Sequence, residues 1–202
     1  MWLGYQVLDA TLLESRNVSV KTVALSASSA PATQTFDDEF SSLSIWDGTS
    51  GTWQYAYSWS PNGYDSDGGW LVNPDWGPTS AADADPYSIS NGVLSIGLIP
   101  TPTSTLSSVD DQPFLTGQIE TQKSLSQLYG YFEVNCEVPA TPGLNSAFWL
   151  LPENGSWPPE LDVFEILGSD PTTLYMTSHY GTNNATTQSV ATIPNASTSF
   201  NT

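Results

Sequence analysis

Turns punctuate this chain from end to end. DGTSG at 47–51, PNG at 61–63, SDGG at 66–69 and NPDWGP at 73–78 cut it into short segments, and no stretch sustains a 3.6-residue apolar period. Segments this short leave no room for long helices, so strands joined by turns are expected throughout. In GVLSIGLIP, Leu94, Ile96 and Leu98 share one face. In YGYFEVNCEV, Phe132, Val134, Cys136 and Val138 share one face, and Tyr131, Glu133, Asn135 and Glu137 share the other. SAFWLLP is apolar on both faces, as in a central strand covered on both sides, which puts Trp149 near the floor of a cleft. A chain of 202 residues has enough material for one all-β domain with a real core.

Charge narrows the possible partners. Twenty-one acids face three basic residues, giving a formal net charge of −18. Counterion-release binding needs clustered Lys and Arg, so a nucleic acid or an anionic membrane surface is excluded as a partner. No apolar run approaches the roughly eighteen residues that span a bilayer. The first residues lack a basic region followed by an apolar run, so no signal peptide is visible. Charged residues are only 12% of the chain, so Ser, Thr, Asn, Gly and Pro must supply the polar surface, which suits an extracellular setting. Cys136 is the single cysteine and reads as a small buried strand residue. The small-residue and Pro segment 26–35 reads as a linker, making residues 1–34 an N-terminal extension and residues 35–202 the main, monomeric domain.

The most unusual stretch is WPPELDVFEILG at 157–168. Its ELDVFE places Glu160, Asp162 and Glu165 in an otherwise apolar strand. Regular alternation would put Glu160 and Asp162 on one face and Glu165 on the other. One extra residue at Val163 or Phe164, a β-bulge, shifts the phase and brings all three acids to one face. Two carboxyl groups about 5 Å apart perform retaining glycoside hydrolysis, one as nucleophile and one as acid. A third between them disfavours ionising the whole group and keeps one proton near neutral pH. Three carboxylates also suit Ca²⁺ or Mg²⁺, so a metal site is a rival reading.

The ELDVFE motif resembles the E-[aliphatic]-D-x-x-E signature of glycoside hydrolase family 16 in its bulged, laminarinase-like or agarase-like form. YGYFEVNCEVPATPGLNSAFWLLP resembles the strand and turn that precede the family's catalytic strand, TFDDEF its opening strand, and TSHYG at 177–181 the strand that follows. The resemblance covers roughly residues 35–182. It implies a concanavalin A-like jelly-roll β-sandwich with the catalytic strand in a cleft. It also implies roles: Glu160 as nucleophile, Glu165 as general acid/base and Asp162 as the assisting carboxylate. Trp149 and Trp157 become sugar-stacking residues, and His179 a hydrogen-bonding residue that lines the cleft. Glu39 would match a Ca²⁺ ligand on the opposite face, a structural ion with no part in the chemistry, for which no cofactor is required.

Two departures from the family pattern stand out. Asn145 in GLNSAFW replaces a commonly found Trp and is expected to alter a sugar subsite. Only 37 residues follow Glu165, so the jelly roll is expected to be incomplete at its C-terminus, and the domain partial. The implied activity is endo-acting hydrolysis of a β-1,3- or mixed-linkage glucan or a bacterial exopolysaccharide. A lectin-like module that binds polysaccharide without cleaving it is the alternative.

Overall fold

Each sustained apolar alternation becomes a strand. The computed structural model describes residues 2–7, 14–24, 33–65, 68–76 and 84–202, the first two segments as backbone only. In chain order the strands are β1 (Trp2–Val7), β2 (Glu14–Ala24), β3 (Thr33–Asp38), β4 (Tyr64–Asp65), β5 (Gly69–Leu71), β6 (Tyr87–Ser90) and β7 (Val93–Pro100). There follow β8 (Phe114–Thr116), β9 (Gln118–Glu120), β10 (Tyr131–Cys136), β11 (Leu144–Leu150), β12 (Glu160–Leu167), β13 (Thr173–Tyr180) and β14 (Ala185–Thr192). Among the described residues the only helical piece is a 3₁₀ turn, Leu106–Ser108, and no helix is long and apolar enough to cross a membrane.

Two sheets form a β-sandwich. One has six strands in the order β14-β13-β12-β11-β1-β9, and the other runs β10-β2-β7-β8-β5-β4, with β3 beside β2 and β6 beside β7. Pairing is antiparallel except between β5 and β8. Residues 1–34, expected as an extension, contribute a strand to each sheet: β1 lies between β11 and β9, and β2 between β10 and β7. Most of the expected linker, residues 26–32, lies outside the described residues.

The core fills the space between the sheets. Phe148, Phe164, Ile166 and Ile119 from the first sheet meet Leu94, Ile96, Leu115, Val134 and Cys136 from the second. Fully burying each large side chain is worth about 1.5–3 kcal/mol, and this packing turns the opposite face of β11 and β12 outward. Gly168 closes β12 where the chain passes close to the turn at Thr141, whose carbonyl any Cβ would strike. The Gly168 N–H donates to the Leu144 carbonyl at 2.7 Å, fixing the end of the strand.

Candidate active site

A single irregularity in β12 builds the site. Against β11, Glu165 pairs with Ala147, Phe164 with Phe148 and Asp162 with Trp149, so Val163 has no partner. Against β13, Asp162 pairs with Thr177 and Glu165 with Tyr175, leaving two residues on β12, Val163 and Phe164, opposite one, Met176. Val163 and Phe164 both pack on the core, which is how the phase shifts. Ala147 and Trp149 share a face of β11, and Tyr175, Thr177 and His179 share a face of β13. Glu160, Asp162 and Glu165 therefore line one outer face, in the arrangement expected from the motif.

Hydrogen bonds fix each acid separately. The Trp157 indole N–H donates to Glu160 Oε2 at 2.7 Å. His179, paired with Glu160 across the strands, brings Nε2 within 3.2 Å of Asp162 Oδ2 and 3.7 Å of Glu160 Oε1. Trp157 and His179 also meet each other, their ring centroids 5.9 Å apart. The Asn145 amide donates to Glu165 Oε1 at 3.1 Å. Asn145, the position expected to alter a sugar subsite, is only 3% exposed.

Electrostatics marks out the middle carboxyl. Burial pushes Asp162 up to about 7, and the neighbouring charges of Glu160 and Glu165 and a hydrogen bond with Glu160 push the same way. His179 opposes them. The middle acid therefore holds its proton up to about neutral pH. Among the described residues, Glu160, Asp162 and His179 form the one group of three or more acidic, His or Cys side chains with ligand atoms close together, all within 4.8 Å. Glu39 is exposed just after β3 and is not part of it.

Aromatic rings extend the site beyond the acids. Trp149 packs edge-on against Tyr57 at 6.2 Å, and Trp59 stacks on Tyr57 at 4.6 Å with the rings 8° from parallel. Trp59 and Tyr57 belong to a loop, YAYSWSPNG, that no periodicity places beside β11, so sequence reasoning missed them. A cavity of about 700 Å³ is lined by Trp59, Ser58, Gln122, Gly155 and Glu160, among others. Glu120 on β9 is another acid missed in the sequence: fully buried, it is pushed up to about 7 by desolvation, and its Oε2 accepts from the Gln122 N–H.

Fold and site together define a β-sandwich with a carboxylate cluster and flanking aromatic rings on the outer face of one sheet. The family model "Glycosyl hydrolases family 16" matches residues 99–202, which include every strand of the acid cluster, and the chain belongs to that family. It is 43% identical over 152 residues to EglC, an endo-1,3-1,4-beta-glycanase of Rhizobium meliloti strain 1021, covering 73% of this chain and 32% of that protein. It is 39% identical over 160 residues to ExsH, named as the same kind of enzyme in the same organism, covering 77% and 34%. The chain thus spans about a third of the length of these relatives. Crystal structures of SCLam, a non-specific endo-beta-1,3(4)-glucanase of the same family, share the fold: the TM-score is 0.65 at 21% identity, over 90% of this chain and 70% of that one.

Proposed function

We propose that this domain cleaves β-1,3- or mixed-linkage glucan within the chain, by a retaining double displacement. The observation that carries the reading is the bulged register, which brings Glu160 and Glu165 to one face with Asp162 between them. The names of the relatives support the substrate class.

In this scheme Glu165 protonates the departing glycosidic oxygen while Glu160 attacks the anomeric carbon, forming a covalent glycosyl-enzyme. Glu165, now a carboxylate, draws a proton from water, and that water breaks the ester and releases a product of unchanged anomeric configuration. Each supporting residue has one task. Trp157 holds the nucleophile, Asn145 holds the acid, His179 bonds Asp162, and a protonated Asp162 donates to Glu160 and spares the nucleophile a second charge beside it.

Glu160→Gln tests this reading. It should abolish turnover of laminarin and of mixed-linkage glucan while preserving binding to both. Retained turnover would sink the assignment, and so would an α-configured first product in an NMR time course on a β-linked substrate. The carboxyls and a water complete the chemistry, so protein treated with EDTA is expected to keep its turnover.

A further inference from the structure

Glu160 takes its hydrogen bond from a residue on a loop. Trp157 belongs to residues 151–159, which join β11 to β12, and every residue from Glu153 to Trp157 is exposed. Apolar burial does little to hold such a stretch, so hydrogen bonds must. Within the loop, the Gly155 N–H donates to the Pro152 carbonyl at 3.0 Å and the Ser156 N–H to Asn154 Oδ1 at 2.9 Å. These bonds shape the loop without attaching it to anything. The attachment comes from the connection between β9 and β10: Gln122 Nε2 donates to the Glu153 carbonyl at 2.8 Å, and the Ser126 hydroxyl to Glu153 Oε2 at 2.8 Å.

Gln122 is itself firmly seated. Its backbone N–H donates to Oε2 of the fully buried Glu120 at 3.1 Å, and the next residue, Lys123, donates its N–H to Gln54 Oε1 at 2.9 Å. Gln54 and Glu120 in turn exchange backbone bonds at 2.8 and 2.9 Å. A carbonyl only accepts, so Gln122 must turn its amide nitrogen toward Glu153. It does so although its Oε1 is then buried without a partner among the described residues, an arrangement that carries a cost.

We propose that Gln122 is a positioning residue for the nucleophile: it straps the 151–159 loop to the end of β9, and the loop, through Trp157, sets the place of Glu160. The inference rests on the hydrolase reading of the site for its effect on rate, and on geometry alone for the strap. The path has only printed links of ordinary length, from Glu120 to Gln122 to Glu153 along the chain to Trp157, and from its indole N–H to Glu160 Oε2 at 2.7 Å. Pro158 and Pro159, each with φ fixed by its ring, keep the short span between Trp157 and Glu160 stiff. A displacement of Glu153 is therefore passed to the indole, and a nucleophile is sensitive to small displacements.

The test is a double-mutant cycle with Gln122→Met, which keeps the side chain's length and removes the donor. On laminarin, kcat should fall about fivefold, the scale of one neutral hydrogen bond, with KM and Tm nearly unchanged. In the Trp157→Phe background the same substitution should change kcat less than twofold, because the link it acts through is already cut. In the Asn145→Ala background, which disturbs the other acid, the fivefold loss should return in full. A fivefold loss that persists beside Trp157→Phe would overturn the proposal, and so would an unaltered kcat in the single variant. A second readout needs no turnover: the Trp157 indole signal in a proton–nitrogen correlation spectrum, assigned by its absence from Trp157→Phe, should move upfield in Gln122→Met as its bond to Glu160 loosens. An unmoved signal would sink the strap. If the wild-type protein cleaved no glucan while that signal moved, the hydrolase reading would fail and the strap would stand.

Discussion

His179 Nε2 stands 3.2 Å from Asp162 Oδ2 and 3.7 Å from Glu160 Oε1, so one imidazole contacts two acids of the cluster. Asp162 is nevertheless pushed up to about 7, because burial and its acidic neighbours outweigh that contact. An unfolded Asp titrates near 3.9, so between about pH 4 and 7 the folded protein keeps a proton that the unfolded chain releases. The unfolded state binds fewer protons in that window, and stability therefore falls as pH rises through it. Asp162→Asn removes this loss. The Tm of the variant, measured relative to wild type, should climb between pH 4 and 8 and then level off; a difference independent of pH would refute the assignment. Glu120, pushed up to about 7 mainly by burial, gives Glu120→Gln the same sign.

Trp157→Phe isolates one hydrogen bond. The substitution keeps an aromatic ring beside His179 but removes the indole N–H that donates to Glu160 Oε2 at 2.7 Å. A hydrogen bond to a charged group is worth about 1.5–3 kcal/mol when buried, and Trp157 is 49% exposed, so the lower end applies. We expect kcat to fall about tenfold with Tm nearly unchanged. Steady-state kinetics on laminarin would decide it, and an unaltered kcat would show that the donor does not position Glu160.

The acids were legible in the sequence because a β-bulge leaves a phase error that can be counted. Glu160, Asp162 and Glu165 cannot share a face of a regular strand, and apolar neighbours on both sides argue against a simple solvated row. The strands holding Leu94, Ile96, Val134 and Cys136 were legible for the same reason, since alternation is a local property. Trp59 and Tyr57 were not, because their meeting with Trp149 depends on a loop folding back over β11, and local periodicity carries no trace of it. Asn145 shows a third situation. Its strand was readable, but its bond to Glu165 spans the pairing of β11 and β12 and exists only once the register is set. The strand pairing of residues 2–7 and 14–24 was equally hidden, since a Pro-containing small-residue segment reads as a linker wherever its ends are bound.

Asn145→Ala tests that bond across the register. Asn145 donates to Glu165 Oε1 at 3.1 Å from a buried position, so the variant frees the acid to leave the leaving-group oxygen. A charge-assisted bond in a buried setting is worth about 1.5–3 kcal/mol, which corresponds to a kcat loss of about 10- to 100-fold. KM should change little, because the interaction orients a proton donor and does not grip sugar. A raised KM with kcat intact would instead return Asn145 to the sugar-subsite role expected from the sequence.

The last prediction concerns the packing beneath the acids. Phe148 is fully buried, pairs in register with Phe164 immediately after the bulge, and meets that ring at 6.2 Å. Phe148→Ala should cost about 3–5 kcal/mol through lost burial and the cavity left behind. Phe40, also fully buried but stacked on Trp53 at 5.9 Å, supplies the control, since Phe40→Ala should cost a similar amount without touching β12. If the bulge holds Glu165 in phase only because Phe164 is pinned by Phe148, the two variants should separate in activity. At a temperature where both remain folded, Phe148→Ala should lose kcat by about 100-fold, the scale of an ångström-level misplacement, while Phe40→Ala keeps its kcat. Equal activity in the two variants would mean that β12 holds its own irregular register without support from the core.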